Sequence, residues 1–298
     1  MGSSQHLIKA ANRAFARTLI DGPFTSMGML RFLITKKASM TIFDFIKNPA
    51  AIKKIDRAKF ANDSIDGNLR PLWARSLGRC TSFTMNVTAQ LQQGFPGVFS
   101  FFLYNQGKHR LARCQSTGIC IDSSSINGAF KLPEGVRKRF GNTECEWQWQ
   151  DGACWTKTGN GLEYTSNVPI SGHEALGMCL AEVAKGLVGV TLFRSVKVDG
   201  TTTYHRMIKW SFQKSKCRLD LVPSLVSEAR KVAICWGLDS ANNTNKDDKE
   251  CIQMLHSFCV QHGGPHWQAQ WTADGLDEIT QSFWTAANAA FGFPKYVV

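Results

Sequence analysis

Cys80, His109 and Asp122 are the residues whose types and spacing could do chemistry together. Cys80 follows Leu77-Gly78-Arg79 at the expected start of a helix over residues 79–93, with Phe83, Val87 and Leu91 on one face and Gly94 as its stop. A thiol at a helix start meets unpaired backbone N–H groups and the positive end of the helix dipole, which favour the thiolate, and Arg79 adds positive charge. That thiolate is a nucleophile, and the same N–H groups can hold a developing oxyanion. His109 opens one strand of a hairpin that turns at Gln115-Ser116-Thr117-Gly118, and Asp122 lies on the return strand over residues 119–123. The two come within a residue or so of facing each other, and opposed cross-strand residues stand with Cβ atoms about 4.5–5.5 Å apart. A carboxylate so placed orients an imidazole, which completes the division of labour of a Cys-His-Asp triad.

Each member also has a plainer explanation. Cys80 could be a packed thiol, His109 an exposed strand end, and Asp122-Ser123-Ser124-Ser125 a turn or helix cap. It is the joint order, element types and spacing that point to the triad. Arg79, Thr81 and His205 are the oxyanion or positioning candidates beside it, although a histidine on an apolar strand, as in Tyr204-His205-Arg206, is more simply explained as a satisfied core or surface residue. Trp147, Trp149 and Trp155 form an indole cluster that reads as core or cleft wall, and its density suits an aromatic substrate pocket.

The elements needed to position these groups follow from the pattern. Residues 98–104 read as a strand, and residues 189–198 and 202–212 as strands flanking Asp199-Gly200. Residues 174–185, 249–261 and 274–291 read as helices, the last two separated by Gly263-Gly264-Pro265. Helices first, then mostly antiparallel strands, argue for α+β rather than a doubly wound parallel sheet.

Charge is uneven along the 298 residues. The formal net charge is +12, and residues 1–79 hold +9 of it. Leu7, Ile8, Ala11, Phe15 and Leu19 recur at helical steps, with Lys9, Arg13 and Arg17 aligned on another face. Residues 42–59 repeat the mixture, with Lys53, Lys54 and Arg57 among apolar residues. Clustered cations gain affinity for nucleic acid by releasing its counterions, so these six are candidate nucleic-acid contacts. A solvated face that serves solubility explains the same pattern. A loop-rich stretch over residues 61–78 suggests a basic, mainly helical region over 1–75 and an α+β catalytic core over 76–298.

The order Cys80, His109, Asp122, with the cysteine opening a helix and its partners on successive strands, resembles the transglutaminase-like and arylamine N-acetyltransferase branch of the papain-like superfamily. The resemblance covers about residues 77–125. It implies a papain-like, transglutaminase-like core with helices packed on a mostly antiparallel sheet, and acyl transfer through a Cys80 thioester. Two departures bear on the acyl donor. Thr81 follows the cysteine where transglutaminases have Trp, and Leu77-Gly78-Arg79-Cys80 stands where the acetyltransferases have Arg-Gly-Gly-x-Cys. Size and basicity also resemble fungal arginine-containing cyclodipeptide synthases, which implies amide formation from aminoacyl-tRNA onto an amino-acid or other small-molecule acceptor.

The expected partner is therefore tRNA or another polyanionic acyl carrier, such as coenzyme A or a phosphopantetheine arm. A papain-like cysteine peptidase or amidase would use the same three residues with water as acceptor. A non-catalytic RNA-binding protein would use the basic surface alone. No Gly-x-Gly-x-x-Gly or Walker loop occurs, so no cofactor is expected. The ten cysteines include no Cys-x-x-Cys pair, so no metal is expected either, and reduced thiols in the cytoplasm fit a chain without an apolar leader. No apolar run approaches the roughly 18 residues that a spanning helix needs, so no membrane association is expected.

Overall fold

The computed structural model describes residues 2–21, 24–26, 80–106, 109–122, 128–139, 146–157, 161–170, 188–198, 201–213, 216–221 and 232–237. The fold is α+β. The expected helices over 174–185, 249–261 and 274–291, and the basic residues 42–59, lie outside these residues. The chain divides into two compact units, one of Met1–Thr18, Arg79–Met178 and Val196–Tyr204, the other of Leu19–Gly78, Cys179–Ser195 and His205–Val298.

Within the first unit, helix α1 (Gly2–Asp21) buries Ala11, Phe15 and Thr18 and leaves Lys9, Arg13 and Arg17 exposed, as its periodicity requires. Helix α2 (Cys80–Gly94) places Phe83, Val87 and Leu91 in the core. Its first five residues, Cys80 to Thr84, are buried all round, so the N-terminal turn is inserted into protein rather than displayed on a surface. Thr18 receives a hydrogen bond from Gln90 Nε2 at 3.0 Å, and the same amide group reaches Asn86 Oδ1 at 2.8 Å, which ties α1 to α2.

Two four-stranded antiparallel sheets follow. The first has the order β2 (Phe101–Gln106), β3 (His109–Cys114), β4 (Ile119–Asp122), β5 (Gly128–Lys131). The second has the order β6 (Arg137–Arg139), β7 (Glu146–Gln150), β8 (Ala153–Lys157), β9 (Glu163–Ser166). Helix α2 packs on β3 and β4. A single apolar cluster joins the two sheets, with Tyr104, Leu111, Cys120 and Phe130 from the first and Trp147, Trp149 and Cys154 from the second. The indoles cover the face of the first sheet that carries Tyr104, Leu111, Cys120 and Phe130.

Both edges of the first sheet are covered. Asn12 of α1 accepts a hydrogen bond from Ala129 N at 3.0 Å and donates one to Ala129 O at 3.3 Å, so one side-chain amide pairs with the backbone of edge strand β5. At the opposite edge, Ile170 N donates to Leu103 O at 2.9 Å. Covering an edge removes the unpaired backbone that would otherwise invite another strand.

The expected strand at 98 begins only at Phe101. Residues 95–98 instead continue the helix end into a turn, with Phe95 N on Leu91 O and Val98 N on Phe95 O, and Gly97 takes a φ of 77° there. The second unit contains β1 (Phe24–Thr25), and the third sheet runs β1, β10 (Val188–Val198), β11 (Thr201–Gln213), β12 (Lys216–Leu221), β13 (Val232–Gly237). The pairs β1–β10, β11–β12 and β12–β13 are antiparallel. The expected strands on either side of Asp199-Gly200 are β10 and β11.

Candidate active site

Cys80 is the first residue of α2 and is 8% exposed. Because the opening turn of a helix has no intrahelical partners for its N–H groups, the sulfur sits where backbone donors and dipole both favour negative charge. Thr81 is buried beside it.

His109 opens β3 and Asp122 closes β4. The printed register pairs Ala112 with Ile121 and Arg113 with Cys120. Continued by one step, it sets Asp122 opposite Leu111, two residues along from His109. The pair is thus diagonal rather than directly facing, with both side chains on the same sheet face, and an imidazole is long enough to span a diagonal. Nε2 of His109 donates to Asp122 Oδ1 at 2.7 Å, the short length of a charge-assisted bond. The carboxylate is 1% exposed, whereas the imidazole keeps about a quarter of its surface.

The His109 ring also hydrogen-bonds the Cys80 side chain. With Nε2 engaged by the carboxylate, Nδ1 is the nitrogen left for the sulfur. Burial alone would lower the His109 pKa. The Asp122 charge and hydrogen bond, and then the Cys80 contact, outweigh it and raise the pKa from 6.5 to about 10. The imidazole is therefore held as imidazolium at neutral pH, the state that stabilises a neighbouring thiolate. The three residues form one connected chain, sulfur to imidazole to carboxylate.

Trp147 of β7 stands edge-on to His109, with ring centroids 6.5 Å apart at 75°, and it packs on Phe130. The indoles do not form one cluster. Trp147 and Trp149 point into the core, while Trp155 points out of the opposite face, where the Arg137 guanidinium lies 4.8 Å from its ring centre. Period-two alternation along Glu146–Gln150, with the next strand reversing it, is the cause.

The remaining candidates fall apart from this constellation or outside the described residues. Lys9, Arg13 and Arg17 form an exposed line on α1 at every fourth position. His205 lies on β11, and its side chain is outside the description. Arg79, Lys53, Lys54 and Arg57 lie outside the described residues altogether. Among the described residues, no group of three or more His, Cys, Asp or Glu is placed to hold a metal ion, and no helix is long and apolar enough to cross a membrane. Cys114, Cys120 and Cys154 are buried and in no disulfide. Burial pushes the Cys154 thiol up to about 12, and Cys120 well above its ordinary value, which disfavours the thiolate at both.

No protein-family model and no curated protein matches the chain. Solved structures that match include a point variant of the Mycobacterium smegmatis arylamine N-acetyltransferase, at 10% identity and TM-score 0.42 over 89% of this chain and 93% of that one. The arylamine N-acetyltransferase of the same organism matches at 10% identity and TM-score 0.44, over 94% and 92%.

Proposed function

We propose that the chain is a cysteine-dependent acyltransferase that forms an amide bond through a thioester on Cys80. The observation that carries this reading is the hydrogen-bonded chain from Cys80 through His109 to Asp122 at a buried helix start. In the first half-reaction His109 holds the proton that leaves the thiol. The thiolate adds to the carbonyl carbon of an activated acyl group, and the carbonyl electrons move onto oxygen, which N–H groups at the start of α2 receive. Collapse expels the leaving group, which takes the proton from His109, and a thioester remains. In the second half-reaction an amine attacks the thioester, His109 accepts the amine's proton, and Cys80 leaves and regains it. Asp122 stays ionised throughout and fixes the ring orientation.

The exposed line Lys9, Arg13, Arg17 supports a donor carried on a polyanion, because clustered cations raise local concentration and on-rate for such a carrier. Aminoacyl-tRNA is one such donor, and coenzyme A or a phosphopantetheine arm are others. Cyclodipeptide formation gains no support from any match or from the site geometry. Hydrolysis by the same triad differs only in using water as acceptor, and the limited exposure of Cys80 favours an amine delivered in place of bulk water.

The test is intact mass after incubation with charged tRNA, acetyl coenzyme A or an activated aryl ester, each in turn. The reading requires an acyl adduct on the wild type that is absent from Cys80→Ala and is discharged by an added amine. No adduct with any of these donors on a protein whose Cys80 alkylates normally would refute it.

A further inference from the structure

Arg113 lies on the same face of β3 as His109 and Leu111, and it is only 9% exposed. Its guanidinium stacks over Trp149, with the central carbon 4.0 Å from the ring centre. Among the described residues, its side chain meets no carboxylate and no hydrogen-bond acceptor, and Nε is buried without a partner. A guanidinium carries five N–H donors in a fixed fork and stays charged at any physiological pH. Burying a donor of such a group without a partner is costly, and stacking on an indole does not satisfy the buried Nε.

Among the described residues, the carboxylate nearest by register is Asp122, on the diagonal from Arg113 on the same sheet face. Asp122 is the carboxylate whose field reaches Cys120 and Cys154, and it is already bound to His109. Positive charge is reinforced by Lys138, whose field also reaches Cys120. The fork borders Gly118, which has a φ of +68°, and a Cβ added there would stand 3.6 Å from Nη2. Glycine there places no side chain against that edge of the guanidinium.

We propose that Arg113, stacked on Trp149 and bordered by Gly118, binds the oxyanion of a ligand, a carboxylate or a phosphate group, by paired hydrogen bonds from its fork. The site is separate from the triad. His109 and Arg113 are four residues apart on one strand, about 13 Å at the usual rise, with the buried Leu111 between them. It therefore stands whether or not Cys80 forms a thioester.

The experiment measures the unfolding midpoint of the full chain while sodium phosphate, and separately sodium acetate, is titrated in, with sodium chloride matching ionic strength. The wild type should show a saturable rise over the chloride control, with phosphate if the ligand carries phosphate, or with acetate if it carries a carboxylate. Arg113→Met, which keeps the apolar contact with Trp149, should lose about tenfold or more in apparent affinity while being at least as stable as wild type without anion. Arg113→Lys, which keeps the charge without the fork, should respond more weakly than wild type. No response from the wild type to either anion overturns the proposal, as does an equal response from Arg113→Lys or Arg113→Met.

Discussion

His109 Nε2 and Asp122 Oδ1 stand 2.7 Å apart although their backbones are not opposite each other in the β3–β4 ladder. The imidazole crosses a diagonal to reach a carboxylate that is otherwise sealed from water. That bond and the Cys80 contact keep the ring protonated up to about pH 10.

Replacing Asp122 by Asn keeps the size of the side chain and removes the charge. The imidazolium loses its largest favourable partner, so kcat should fall about 10³–10⁴-fold by analogy with other triads, with KM little changed. A loss below tenfold would show that Asp122 only caps the strand.

Stability should fall as the solution becomes alkaline. The folded-state pKa of His109 lies above its ordinary 6.5, so the folded chain binds more protons than the unfolded one between pH 6.5 and about 10. Its contribution is complete below pH 6.5 and vanishes as pH rises through 10. In urea melts at pH 6, 8 and 10, the difference between wild type and His109→Gln should shrink steadily, and a constant difference would contradict the ionic origin of the bond.

Asn12 pairs with Ala129 through two hydrogen bonds, 3.0 and 3.3 Å long. Asn12→Ala should cost about 1–3 kcal/mol, because both backbone groups of an edge residue lose their partner. Hydrogen exchange should report the loss at the Ala129 amide, while the Cys80 alkylation rate stays near wild type.

If the donor is a polyanion, Lys9, Arg13 and Arg17 act through long-range attraction. The triple change to Gln should raise KM for the carrier-borne donor and leave kcat intact, and the salt slope of log affinity should flatten by about 2–3. An unchanged slope would mark these residues as solubilising surface only.

Much of this was legible in the chain itself. The stripe Phe83, Val87, Leu91 located α2 to within a residue, and the Gln115–Gly118 turn located the hairpin that carries His109 and Asp122. The diagonal register was not legible, because one residue of difference in the turn shifts the whole ladder. The second sheet escaped although Asp151-Gly152 is a strong hairpin signal, with φ of 52° and 75° at the two turn positions and Gln150 paired with Ala153 across it. Its alternation of Trp147 and Trp149 with Gln148 and Gln150 reads as a strand once that turn is recognised, and it would have separated Trp155 from the other indoles. Arg113 passed unremarked because its interest comes from a buried Nε with no partner among the described residues, which no spacing encodes.

The most direct measurement is the pH dependence of Cys80 alkylation by iodoacetamide, followed by peptide mass and compared with Cys80 in His109→Gln. An ordinary thiol loses reactivity as pH falls below its pKa of about 8.5. The imidazolium pair predicts that wild-type Cys80 still alkylates rapidly at pH 6, and that His109→Gln restores the steep decline of an isolated thiol. Wild-type Cys80 that declines in step with the His109→Gln protein would contradict the triad.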